Sequence, residues 1–167
     1  MIFIALGANL PSTYGDPFAT LRAAKQAIEL RDIKIIHHSR IWLTAPVPMS
    51  EQPWFHNAVI AVETDVSSTD LLNALHQIEH QFGRVRIERN EARILDLDLI
   101  AYHDEIIQDD NFVVPHPRAH ERAFVLLPLN DVAPEWVHPV LQQRIDELIK
   151  LLPNDQLARP MVLTDET

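Results

Sequence analysis

Apolar residues recur along this chain with two different periods, and the switches between them lay out most of the expected fold. Ile2 to Leu6 is an unbroken apolar run closed by Gly7, which predicts a first strand. Asp16-Pro17 offers an N-cap and a first-turn proline, and Phe18, Leu21, Ala24 and Ile28 follow at helical spacing. Ile33 to Leu43, rich in β-branched residues, predicts one strand, and Thr44 to Pro53, with three prolines, a loop. From Phe55 to Thr64 the period is two: Asn57, Val59 and Ala61 share the face of Phe55, while Ala58, Ile60 and Val62 take the other. Ser67 with Asp70 resembles a capping box, and Leu71, Leu72, Leu75, Ile78 and Phe82 line a second helix that stops at Gly83. After a polar loop, Ile94 to Tyr102 returns to strand.

The order β-α-β-β-α-β predicts an α+β fold with a ferredoxin-like core. Beyond it, Pro115, Pro117, Pro128, Pro134 and Pro139 divide the chain into loops and short added strands and helices. A last helix is predicted over Leu141 to Leu152, and the tail after about residue 152 carries no assignment. No repeat, low-complexity stretch or linker divides residues 1–167, which read as one domain.

A chain of 167 residues that is 47% hydrophobic can bury about 70% of its unfolded surface. Its net charge of -10 argues against nucleic acid or an anionic membrane as a partner. The absence of cysteine excludes disulfides and thiolate metal sites and fits a reducing cytoplasm. The N-terminal apolar run is too short for a signal peptide, and no run reaches transmembrane length. A cytosolic protein is expected, working as a monomer on small molecules.

Asp96 and Asp98, in Ile94-Leu-Asp-Leu-Asp-Leu-Ile100, carry the clearest chemistry. On a strand they share one face, roughly 6.6 Å apart, with Leu95, Leu97 and Leu99 on the other. Paired carboxylates repel each other but suit hard divalent cations. Six of the eleven arginines fall between positions 84 and 122, and His116 lies among them. Carboxylates for metal beside arginines for oxyanions read as a magnesium-phosphate site. With only three glycines, neither a Walker loop nor a dinucleotide fingerprint can be written, so side chains and metal must meet the phosphate charge. Guanidinium suits that task through bidentate pairing. Taken singly, each piece has a plainer reading: a half-exposed strand, solvated surface arginines, a rigid Pro115-His116-Pro117 turn. Their co-occurrence favours the site.

Several segments resemble the 6-hydroxymethyl-7,8-dihydropterin pyrophosphokinase family. They are Ala5-Leu-Gly-Ala-Asn-Leu10, Thr44-Ala-Pro46, Phe55-His-Asn57, Glu79, Gly83-Arg-Val-Arg86, Arg93-Ile-Leu-Asp-Leu-Asp-Leu-Ile100, Val114-Pro-His116 and Arg122-Ala-Phe-Val-Leu-Leu-Pro128. The resemblance implies transfer of pyrophosphate from ATP, the co-substrate, to the hydroxymethyl oxygen of a dihydropterin in folate biosynthesis, with release of AMP. It implies that Asp96 and Asp98 hold two Mg²⁺ ions and that Arg84 and Arg93 act on the phosphates from a mobile loop. His116 and Arg122 would hold the phosphates from a second loop, with His76, Glu79 and Ile100 near the nucleotide. The pterin would stack between Phe55 and Phe124, its edge read by Asn57 and the backbone around Thr44 and Val47. The chain departs from the family pattern at Asn90-Glu-Ala92 (for tryptophan-glycine-proline), at Pro117 (for an aromatic residue) and at Phe55 (for tyrosine).

Two rival readings stand beside it. A ferredoxin-like module could bind a small ligand without catalysis. The stretch His76-Gln-Ile-Glu-His80 also matches the inverted zincin pattern, which implies a zinc hydrolase using His76 and His80.

Overall fold

The computed structural model describes residues 1–83 and 94–162. Its central strand is β1 (Ile2–Ala8), whose seven residues are all buried. A strand covered on both faces reads as a continuous apolar run, which explains the lack of alternation there. β1 pairs antiparallel with β4 (Phe55–Glu63) on one side and β5 (Asp96–Tyr102) on the other. β4 also pairs with β2 (Lys34–His38) and β3 (Trp42–Thr44), and β8 (Ala158–Pro160) adds to β3 at the sheet edge. With α1 (Pro17–Glu29) and α2 (Ser68–Gln81) as crossovers, this is the split β-α-β-β-α-β arrangement the periodicity predicts.

Both helices start where their caps direct. The Asp16 carboxylate accepts from Ala19 N–H at 2.9 Å, and the Ser67 hydroxyl from Asp70 N–H at 3.2 Å. They cover one face of the sheet, where Leu21, Ala24, Ile28, Leu71, Leu75 and Ile78 pack on Ile2, Ile4, Leu6, Ile60 and Leu97. The other face carries Phe3, Val59, Ala61 and Ala101 and is covered by α3 (Ala123–Val132) and α4 (Ile145–Lys150). β6 (Ile107–Asp109) and β7 (Phe112–Val114) form a separate hairpin between β5 and α3.

Two expectations change. Ile33 to Leu43 is two strands, because Ser39 interrupts the ladder: its N–H donates to Val59 O, and its hydroxyl accepts from Val59 N–H, both at 2.9 Å. A serine side chain thus stands in for a backbone partner. The predicted helix over Leu141–Leu152 shrinks to α4. Gln142 takes a left-handed φ of 56°, its N–H donates to His138 O, and a Val137–Arg144 bridge holds the intervening residues as a loop.

Candidate active site

At the start of β5 the alternation places Leu97 in the core beneath α1 and α2, while Asp96 and Asp98 turn half-exposed to the opposite face. Asp98 pairs with Ala5 and Asp96 with Gly7 of β1. Between them, Leu97 N–H donates to the carboxylate of Glu79 at 3.0 Å. Glu79 is buried on α2, so the second helix fixes the strand residue flanked by both aspartates.

Gly7 sits in a row across three strands, opposite Asn57 on one side and Asp96 on the other. A Cβ there would lie 2.5 Å from Asn57 Oδ1, so glycine is what lets the Asn57 amide lie flat over β1. Asn57 Nδ2 donates to Thr44 Oγ1 at 2.6 Å; both residues are buried. Phe55, two residues before Asn57 on the same face, borders the same hollow from the start of β4.

The hollow is a cavity of about 660 Å³ between this end of the sheet and the α3–α4 side. Gly7, Asn57 and Asp96 form its floor, with Val47, Pro48, Gln52 and Phe55 on one flank. Arg118, Arg122 and Phe124 stand on the other, and Leu148, Leu152 and Gln156 close the far end. The Arg122 guanidinium lies 5.3 Å from the Phe124 ring centre.

His116 approaches from the loop after β7. Its backbone N–H donates to Ile100 O at 2.8 Å, which anchors the loop on β5. Its Nδ1 accepts from Arg118 N–H at 3.2 Å, leaving Nε2 as the hydrogen-bearing nitrogen of the neutral ring. Burial, with Arg122 and then Arg118 acting against the attraction of Asp96, pushes its pKa down to about 4. The ring is therefore a neutral donor at pH 7, beside a guanidinium and a carboxylate.

The structure thus brings Asp96, Phe55, Asn57, Val47, Arg122 and Phe124 to one cavity, with Thr44 bonded to its floor and His116 coupled to Asp96 and Arg122. Asp98 shares the face of Asp96 on β5. Arg84 and Arg93, and the departure at Asn90-Glu-Ala92, lie outside the described residues. β5 bulges opposite Phe3/Ile4, so Ile100 and Ala101 both pack beneath α3, and the Ile100 side chain is core. Glu79 is buried and supports β5 through its bond from Leu97 N–H. His76 and His80 are exposed while Glu79 is buried, and among the described residues no three histidines or carboxylates gather as metal ligands. The zinc reading finds no site among the described residues. Arg118 enters the sequence reading only as one of the clustered arginines, and Gly7 and Gln156 are not singled out there as site residues. Gly7, one of three glycines and at a strand end, carried a signal; Gln156, in the unassigned tail, carried none.

Comparison with known proteins follows the same lines. The family model described as 7,8-dihydro-6-hydroxymethylpterin-pyrophosphokinase (HPPK) matches residues 3–134. The chain is 37% identical over 158 residues to the 2-amino-4-hydroxy-6-hydroxymethyldihydropteridine pyrophosphokinase of Haemophilus influenzae, covering 94% of this chain and 96% of that one. It is 37% identical over 154 residues to folic acid synthesis protein FOL1 of Dictyostelium discoideum, covering 92% of this chain and only 23% of that protein. A crystal structure of Plasmodium falciparum HPPK-DHPS superposes with a TM-score of 0.70 at 16% identity, over 89% of this chain and 44% of the other, which is a likeness of fold.

Proposed function

The chain belongs to the 7,8-dihydro-6-hydroxymethylpterin-pyrophosphokinase family, and we propose that it moves the pyrophosphoryl group of ATP to the hydroxymethyl oxygen of dihydropterin in this cavity, releasing AMP in folate synthesis. The observation that carries the assignment to this site is the meeting of Asp96 with Asn57, Phe55, Phe124 and Arg122 around one hollow.

Phosphoryl transfer asks the protein for in-line positioning and charge neutralisation more than for covalent chemistry. A flat heterocycle fits between Phe55 and Phe124, whose faces leave its rim free. Asn57, held by Thr44 and by the space over Gly7, offers that rim an oriented amide. Asp96 and Asp98 are hard oxygen donors on one half-exposed face, a donor set that fits two Mg²⁺ ions completing their shells with water and phosphate oxygens. Bound there, the ions supply charge neutralisation and polarisation of the transferred group. Arg122 meets phosphate oxygens through its guanidinium, and the neutral His116 ring adds its Nε2–H. By likeness to the family, Arg84 and Arg93 act on the same phosphates. Residues 1–167 act as one pyrophosphokinase domain, working in the cytosol as a monomer.

The test is purified protein with ATP, Mg²⁺ and 6-hydroxymethyl-7,8-dihydropterin, followed for nucleotide products. Formation of AMP with the pterin diphosphate is expected. Ligand binding without AMP would leave the non-catalytic module, and ADP as the product would refute pyrophosphoryl transfer.

A further inference from the structure

The family match ends at residue 134, yet the cavity is closed by residues well beyond it. Gln156 stands out among them. Its Nε2 donates to Glu121 O at 2.9 Å, and its Oε1 accepts from Ala123 N–H at 2.8 Å. One side-chain amide therefore grips the backbone on both sides of Arg122. Arg122 is the N-cap of α3, and its side chain makes no capping bond. The first amide of the helix is instead satisfied by Gln156, from 33 positions away. The next residues lock the opposite wall. Leu157 O accepts from Ala45 N–H at 2.9 Å, and β8 pairs Ala158 with Thr44, whose hydroxyl holds Asn57. A stretch of three residues thus ties the Arg122–Phe124 flank to the Thr44–Asn57 flank.

We propose that Gln156 is a positioning residue for pyrophosphoryl transfer, setting the Arg122 guanidinium against the donor phosphates and, through Arg122, the ring of Phe124 against the pterin. This rests on the phosphate role given to Arg122 above. Gln156 also borders the cavity, so action through Arg122 has to be separated from direct contact with substrate. A double-mutant cycle does so. Gln156→Leu keeps the bulk and removes both hydrogen bonds. In the otherwise native protein it lowers kcat/KM for ATP roughly tenfold, between the worth of one hydrogen bond and that of a misplaced reacting group. In an Arg122→Ala background the same change has an effect less than about twofold, within the usual scatter of additive changes. Gln156→Glu retains the acceptor for Ala123 N–H but sets a carboxylate against Glu121 O; it gives the same cycle should the leucine variant fail to fold. Native kinetics in either folded variant would overturn the inference, as would an equal loss in both backgrounds. If Arg122→Ala alone left the ATP dependence unchanged, the phosphate role of Arg122 would fall, a result distinct from normal behaviour of the Gln156 variants beside an impaired Arg122→Ala.

Discussion

Four side chains show how much single positions say. Asp96 and Asp98 were legible because period-two alternation fixes which face each residue takes once a strand is recognised. Their removal by Asp96→Ala or Asp98→Ala should lower AMP formation roughly 10³-fold, the scale of several kcal/mol of lost charge stabilisation, with far-UV circular dichroism unchanged. At Ile100 the alternation breaks, since the bulge opposite Phe3/Ile4 adds a residue that no spacing announces and turns the Ile100 side chain into the core. His116 could be singled out in the sequence, but its protonation could not. Folded, its pKa is about 4 against an ordinary 6.5, so as pH falls the unfolded chain takes up the proton first. The stability it protects is full above pH 6.5 and is lost on falling towards pH 4, by at most about 3 kcal/mol. Urea unfolding of the ligand-free protein should therefore weaken across that window, and His116→Asn should flatten the dependence. An identical slope in the variant would remove the assigned cause.

Among elements, the two core helices were legible because each starts at a polar cap and keeps an apolar stripe. Ser67→Ala should cost about 1 kcal/mol of stability, the worth of an N-cap. α3 was not legible as a helix: Ala123-Phe-Val-Leu-Leu-Pro-Leu129 is apolar all round, so no stripe marks its period, and Pro128 argues against a helix locally. The join between α2 and β5 is a further consequence of placement that no spacing shows. Glu79→Leu should leave Leu97 N–H buried without an acceptor, at a cost of about 1–3 kcal/mol, and should slow turnover by loosening the strand that carries both aspartates. Denaturant unfolding together with AMP kinetics checks both; lowered ATP affinity with native stability would instead restore Glu79 to the nucleotide.

Taken whole, the molecule is a sheet with helices on both faces, and only one face was foreseen. The β-α-β-β-α-β core could be read from its periods because its contacts join neighbours in that pattern. The second covering layer packs residues far apart in the chain, such as Val59 and Val125, and β8 pairs Ala158 with Thr44 across more than a hundred positions; local sequence holds no record of either. No helix among the described residues is long and apolar enough to cross a membrane. The central claim is that Asp96 and Asp98 together bind divalent ions that join them to the triphosphate. Its most direct measurement is Mn²⁺ binding, by paramagnetic resonance or calorimetry, to the protein with a non-hydrolysable ATP analogue and the pterin. The native complex should hold two ions per chain, and the Asp96→Ala/Asp98→Ala double variant should lose the tightly held pair while still binding the pterin. Equal stoichiometry and affinity in the double variant would contradict the account.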